Sequence, residues 1–342
     1  MKNRVGYYDI AKGIGIILVI IAHIEYMPLE LRQYIVTFHM PAFFIISGTL
    51  MHLTKETGRE IKPLLAGKFK RIMLPYLIFS VVYPVTYYLR FLITGDGYSG
   101  ELFIRDILVG LSMTGISVLW FLPALFFSEV IVLIVLKSLK KPVLFVLCLL
   151  LLLGLWFLPL FVTFMGLFIW RMEYCCVLVL IGYVLLPVTD RLKDRTVLLL
   201  PISVILFIVL YFTGIANDIV DLHYIVLGNK FLYYLNATMG SLGLILVSIF
   251  MEKILKTISP ALQFFGRHSL FIMLTHIDFM ILYMAERLAF AVSGAVPRGK
   301  EIVLNLTATI ATLTVETILI IFWEKLKKCG ILIYSDFIKS KE

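Results

Sequence analysis

Long apolar stretches bounded by charged residues recur along the whole chain. Ten of them have the roughly 17 to 25 residues that a helix needs to cross the hydrocarbon core of a bilayer. They cover residues 8–25, 34–53, 72–93, 118–136, 142–161, 172–188, 196–213, 231–251, 268–290 and 302–323. The pattern therefore predicts an all-α polytopic membrane protein with about ten transmembrane helices.

A shorter apolar piece, LFIRDILVGLSM from Leu102, is interrupted by Arg105 and Asp106. Two adjacent charges within so short a segment favour an amphipathic or re-entrant helix over a span. We therefore leave this segment out of the ten spans.

Basic residues alternate between loops in a way that predicts the orientation of the spans. With the N-terminus inside, most of the 31 Lys and Arg residues fall on the inner side. Eight fall on the outer side: Arg32, Arg90, Arg105, Arg171, Lys230, Arg287, Arg298 and Lys300. The bias predicts that both termini are cytoplasmic. Anionic lipid of the inner leaflet accounts for the net charge of +9, so no nucleic-acid partner is expected.

Composition supports a membrane protein built as a single domain. Hydrophobic residues make up 61% of the 342 positions and charged residues only 15%, which excludes a soluble globular protein. The outer segments are too short to fold on their own. We predict a membrane domain over residues 1–330 and a cytoplasmic C-terminal tail over residues 331–342.

Two histidines, His23 and His39, are predicted to meet in the outer half of the membrane, and a third, His276, lies within another span. Lys12 and His23 lie eleven positions apart, so they share one helix face and are separated by about 16 Å along the axis. His39 enters the second span at the depth where His23 leaves the first, and His276 lies within the ninth. Ionisable residues inside spans are rare and usually functional. The alternative is that His23 is an interfacial residue and Lys12 extends to the inner surface.

Other polar and aromatic residues of the spans have competing interpretations. Ser47 lies deeper on the second span, and Glu129 is expected to orient a histidine if it faces the bundle. We expect Trp120 to belong to the aromatic belt at the membrane surface rather than to stack on a sugar ring. Asp218, Asp221 and His223 could contact a carbohydrate, but we expect them to lie in a solvated loop. The spacing of the intramembrane histidines supplies no i, i+4 pair, so no metal site is predicted.

Five segments together resemble a known family. Lys12 and His23 are a basic residue and a histidine separated by ten residues, and FHMPAFFIISG, KFKRIMLPY, LWFLPALFFSE and GRHSLFIMLTH follow from Phe38, Lys68, Leu119 and Gly266. In this order they resemble the acyltransferase-3 family of integral membrane acyltransferases. The resemblance covers nearly the whole chain and is nearest to the branch related to fucose 4-O-acetylases and other bacterial polysaccharide O-acetyltransferases.

The resemblance implies transfer of an acetyl or other short acyl group from cytoplasmic acetyl-CoA to a hydroxyl of an extracytoplasmic or lipid-linked glycan. The expected partners are acyl-CoA, a carbohydrate acceptor and membrane lipid, and the expected location is the bacterial plasma membrane. His23 fits the base role, with His39 and Lys12 also catalytic. Lys12, Lys70 and Arg71 are expected to bind the donor, while Ser47, Trp120, Glu129 and His276 support the site. The resemblance leaves open whether the protein forms a homodimer.

The competing function is a secondary transporter that exports a small anionic solute or a polymer. In it, the histidines and Glu129 would relay protons and Lys12 would bind the anion. The two halves of the chain contain no internal repeat, and the charged groups cluster in spans one to four. Both features favour the acyltransferase. The identity of the acceptor and the length of the acyl chain stay open.

Overall fold

The computed structural model describes residues 5–95, 97–139, 163–293 and 301–339. The helices before residue 140 are α1 (Gly6–His23), α2 (Leu29–Val36), α3 (His39–Leu53), α4 (Ile61–Lys68), α5 (Leu74–Thr94), α6 (Gly100–Leu111) and α7 (Phe121–Ser138). The helices after residue 162 are α8 (Thr163–Leu192), α9 (Thr196–Ile215), α10 (Lys230–Ile254), α11 (Ser259–Arg267), α12 (Ser269–Thr275), α13 (Ile281–Ser293) and α14 (Glu301–Lys339). No β-strand forms in these ranges, so the chain is an all-α polytopic membrane protein.

Eight helical segments within the described ranges are long and apolar enough to cross a membrane. They coincide with eight of the ten predicted spans. The predicted span at residues 142–161 lies outside the described residues. The segment from Leu102 forms α6, a helix of 12 residues that packs on α5, as expected of a piece too short to span. Helix α14 continues through residue 330, so the predicted boundary between domain and tail falls inside a helix.

The prediction of one continuous span over residues 268–290 is wrong. Helix α12 ends at Thr275, and α13 begins only at Ile281. Between them the backbone turns, with Met280 at a φ of 59° and the Leu282 amide donating to the His276 carbonyl over 2.8 Å. The Asp278 carboxylate accepts hydrogen bonds from the hydroxyls of Tyr87 and Ser117. These hydroxyls satisfy the buried carboxylate at the break, a feature that average hydropathy does not record.

Close contacts at two glycines hold α3 directly against α8. Gly48 of α3 packs on the Val179 carbonyl, and Gly182 of α8 packs on the Ile45 carbonyl, so that a Cβ at either position would overlap the facing backbone. Thr49 adds a hydrogen bond of 3.0 Å to the Gly182 carbonyl. Small residues allow such close approach of helices in membranes. Helix α3 is therefore held in a fixed position against α8.

The bundle has two ends, and contacts show which elements meet at each. At one end, Gly6 lies against Glu252 of α10 and Gln263 of α11. At the other end, the C-terminus of α1 approaches the start of α3, the start of α7 and the loop at residues 216–229. The predicted topology places the first end in the cytoplasm and the second outside.

Candidate functional site

The structure brings His23 and His39 together at the second end of the bundle, as predicted, and places His276 beside them. His23 is the last residue of α1, His39 is the first of α3, and His276 directly follows α12. The rings of His23 and His276 meet edge to face, with centroids 5.5 Å apart. His39 and His276 are buried, whereas His23 is exposed where it lines a cavity.

Each of these rings is fixed by a hydrogen bond to its own helix. Nδ1 lies 2.7, 3.0 and 2.8 Å from the carbonyl oxygen four residues earlier, which belongs to Val19, Ile35 and Ile272 respectively. A carbonyl can only accept, so Nδ1 carries the proton in each neutral ring, and Nε2 holds the free lone pair. The Nε2 atom of His276 is buried with no partner in the described residues. The sequence pattern alone did not predict this shared tautomer.

A cavity of about 250 Å³ opens beside the histidines. His23 and His39 line it together with Arg32 from α2, Trp120 at the start of α7, and Asp221 and His223 from the loop at residues 216–229. The remaining wall is apolar and is made by the side chains of Val19, Ala22, Val36, Met40, Val118, Val220, Leu222 and Met273. The cavity thus combines imidazole bases, a guanidinium, a carboxylate and an indole on an apolar background.

The expectation that the loop at residues 216–229 is merely solvated is wrong for two of its residues. Asp221 pairs with Val226 in an antiparallel bridge and accepts the backbone N–H of His223 over 2.8 Å. Arg171 donates to the His223 carbonyl over 2.5 Å. These bonds hold Asp221 and His223 against the cavity, while Asp218 is exposed as expected.

Trp120 is not an aromatic-belt residue, which corrects the preferred sequence interpretation. Its side chain is only 7% exposed and lines the cavity. The indole stacks on His223 with centroids 5.6 Å apart, and the fully buried Arg171 guanidinium lies 5.0 Å from the ring centroid. Burial, followed by the positive charge of Arg171, lowers the pKa of His223 to about 4. His223 is therefore neutral at physiological pH.

Glu129 contacts no histidine among the described residues, contrary to its expected role. Its carboxylate accepts a hydrogen bond from the Ser47 hydroxyl and pairs with the Lys68 ammonium over 2.5 Å. Lys68 also lies 2.9 Å from a carboxylate oxygen of Glu56. Lys68 and Glu129 are 4% and 2% exposed, so they form a buried ion pair. This pair joins α4 to α7, and the Ser47 hydroxyl connects α3 to it.

The chain matches a protein-family model described as an acyltransferase domain over residues 5–321. The chain belongs to the acyltransferase-3 family. It is therefore a membrane acyltransferase, and the family assignment made from the five motifs is confirmed. No curated protein and no solved structure gives a significant match to the chain.

The expected donor-binding residues of this acyltransferase lie away from the cavity. Lys12 forms an ion pair of 2.9 Å with the buried Asp9, near the opposite end of α1 from His23. Lys70 and Arg71 are exposed on a π-helical turn, Phe69–Met73, that joins α4 to α5. None of these three basic residues lines the cavity. The expected donor-binding residues and the histidines are therefore separate in the structure.

Sequence reasoning missed several residues of this acyltransferase that the structure places at the site. The sequence indicates Arg32 and Arg171 only as basic residues of the outer side, and Lys68 only as the first residue of a motif. Lys68 begins the KFKRIMLPY segment, and that position was the available signal.

Among the described residues, no group of three or more His, Cys, Asp or Glu side chains has a metal-binding arrangement.

Proposed function

We propose that this acyltransferase moves an acetyl or other short acyl group from cytoplasmic acetyl-CoA to a hydroxyl of an extracytoplasmic or lipid-linked glycan. The observation that carries the proposal is the convergence of His23, His39 and His276, each with Nδ1 held by its own helix, beside an open cavity. Fixed imidazoles with a free Nε2 are suited to proton transfer during acyl transfer.

His23 acts as the general base because it is the exposed member of the three and lines the cavity. The acceptor hydroxyl oxygen attacks the thioester carbonyl carbon while Nε2 of His23 takes the hydroxyl proton. The C–S bond then breaks, and the CoA thiolate leaves with the proton that His23 returns. His39 lies in the same cavity wall, and His276 packs its ring against His23, so both position the base.

The donor enters from the end of the bundle that is cytoplasmic in the predicted topology. Lys12 is separated from His23 by about 16 Å of helix, a distance that an extended pantetheine arm covers in order of magnitude. Lys70 and Arg71 are exposed on their π-helical turn and can contact the phosphates of CoA, Arg71 through a bidentate pair. The acyl carbon thereby reaches the cavity while the nucleotide stays outside the membrane core.

The cavity has the chemistry expected for a sugar hydroxyl acceptor. Asp221 offers a carboxylate that can accept hydroxyl hydrogen bonds, and Trp120 presents an indole in the same wall. In the predicted topology this cavity faces the outer side of a bacterial plasma membrane. An extracytoplasmic or lipid-linked glycan can reach it from that side.

The direct test is acyl transfer by the purified protein in lipid nanodiscs, with radiolabelled acetyl-CoA and a panel of glycan acceptors. His23→Ala should lower the rate by about 10² to 10⁴ while the melting temperature stays near wild type. His52→Ala is the matched control, because His52 bonds to the Tyr183 carbonyl and does not line the cavity. A His23→Ala variant that keeps a tenth or more of the activity would remove His23 from the base role.

The same preparation separates acyl transfer from transport. Protein-dependent loss of the thioester with label appearing on a glycan supports the enzyme. Solute flux in sealed vesicles without any thioester loss would support the secondary transporter instead.

A further inference from the structure

Arg32 places a cation with unused donors in the wall of the cavity. It lies on α2, the short helix between the two helices that end and begin at His23 and His39. Its Nη2 donates to the carbonyl oxygens of Ile24 and Glu25 over 2.5 and 3.2 Å. These two bonds fix the position and plane of the guanidinium. A guanidinium carries five N–H donors in a rigid fork, so most of its donors remain after this anchoring.

The charge of Arg32 is not used by an ion pair within the described residues. No described carboxylate lies within 4 Å of its nitrogens, and its buried Nε has no hydrogen-bond partner there. The carboxylate of Glu286, which belongs to the same outer region, instead accepts the backbone N–H of Glu25 over 2.7 Å. An oriented guanidinium with a buried, unpartnered N–H is a site for a negative charge that arrives with the substrate.

We propose that Arg32 is a further catalytic residue, which stabilises the oxyanion formed during acyl transfer. This inference rests on the proposed function. When the hydroxyl oxygen bonds to the carbonyl carbon, the π electron pair of the carbonyl moves onto its oxygen. Arg32 donates an N–H to that oxygen as the negative charge develops. The pair then re-forms the carbonyl, the C–S bond breaks, and the thiolate leaves with the proton held by His23.

Three features of Arg32 suit it to this role better than to general charge attraction. It shares the cavity wall with His23, so base and cation can act on one reacting group. Its position is set by backbone carbonyls and requires no rearrangement during the reaction, which is the property that makes such donors effective. The planar fork of an arginine also keeps its anchoring and its free N–H groups in a fixed relative geometry.

The test measures release of CoA from acetyl-CoA by purified Arg32→Ala, Arg32→Gln and Arg32→Lys proteins, with water and with glycans as acceptors. For Arg32→Ala we expect kcat to fall by about 10² to 10³, with KM for acetyl-CoA changed by less than about threefold. Added ethylguanidinium should restore part of the activity of Arg32→Ala but none of that of His23→Ala. Arg287→Ala is the matched control, since Arg287 is exposed and stacks on Tyr283 outside the cavity.

Two other results with the Arg32 variants would overturn the assignment, and two results with wild type separate it from the proposed function. A raised KM with unchanged kcat would make Arg32 an anchor for a bound substrate. A fall in melting temperature that parallels the loss of activity, without guanidinium rescue, would reduce Arg32 to a clamp on the turn at Ile24 and Glu25. If wild type releases CoA into water but no glycan accelerates it, the glycan proposal fails while Arg32 is still judged by its kcat. If wild type releases no CoA from any acyl-CoA, both proposals fall.

Discussion

Removal of the Lys68 ammonium should destabilise the bundle more than removal of either carboxylate beside it. Lys68 Nζ lies 2.5 Å from Glu129 and 2.9 Å from Glu56, and its side chain is 4% exposed. At an effective dielectric constant of about 20, Coulomb's law gives gross attractions of roughly 7 and 6 kcal/mol for these pairs. The cost of removing all three groups from water offsets most of this sum, so the three charges together contribute little net stability.

Removing one member of this network costs much more than the intact network contributes, because it leaves a buried charge without a partner. Lys68→Met leaves Glu129 and Glu56 facing each other, and we expect a loss near the upper end of the range of about 3 to 5 kcal/mol. Glu129→Gln leaves Lys68 bound to Glu56, so its loss should lie near the lower end of the same range of about 3 to 5 kcal/mol. Glu56→Gln should cost least, since that carboxylate is 13% exposed.

The assay is the free energy of unfolding in mixed micelles, measured without any substrate. Lys62→Met is the control, because Lys62 is an exposed lysine of α4 and should change stability by less than about 0.5 kcal/mol. The double variant Lys68→Met with Glu129→Leu should recover part of the loss of Lys68→Met. If Lys68→Met matched Lys62→Met, or if Glu56→Gln were the most harmful change, the pairing described for this buried network would be incorrect.

Further predictions address the donor end, helix packing and pH. Arg71→Ala should weaken apparent affinity for acetyl-CoA more than for the acceptor in initial-rate kinetics, and the difference should shrink at high salt because ions screen the contact. Lys12→Arg should keep acyl transfer and Lys12→Met should lose it, measured on equal amounts of membrane protein. Gly48→Ala should lower the melting temperature, since its Cβ would overlap the backbone of α8. Burial lowers the pKa of His223 to about 4, below its ordinary value of about 6.5. Its neutral form is therefore favoured by folding, and stability should fall as the pH drops from about 6.5 towards about 4. His223→Gln should flatten that part of the pH profile of unfolding.

The parts of the fold that follow from local chemistry could be predicted from the sequence. Apolar length predicted the spans, and the depth of His23 and His39 in consecutive antiparallel spans predicted their meeting. The break at Asp278 could not be predicted in the same way. A hydropathy average adds side-chain transfer energies and does not detect that Tyr87 and Ser117, distant in sequence, satisfy that carboxylate.

The environment of the site could not be predicted from the sequence, because it depends on contacts between segments that lie far apart along the chain. Lys68 is one basic residue among several in its loop, and only the position of Glu129 across the bundle shows that it is buried. Trp120 was assigned to the membrane surface because a tryptophan at the end of a span has that location in most proteins. Arg171 and the loop at residues 216–229 cover it instead, and no local pattern indicates that covering.

The bond from each histidine Nδ1 to its own helix has a physical consequence for how this enzyme responds to its lipid surroundings. Because each of the three rings is hydrogen-bonded to its own helix, their mutual distances depend on how α1, α3 and α12 lie against one another. A bilayer thicker or thinner than the hydrophobic length of these helices changes their tilt. A displacement of about 1 Å between reacting groups can cost about a hundredfold in rate. Acyl transfer should therefore have an optimum in lipid chain length, and the thickness of the surrounding membrane would govern the rate of the enzyme.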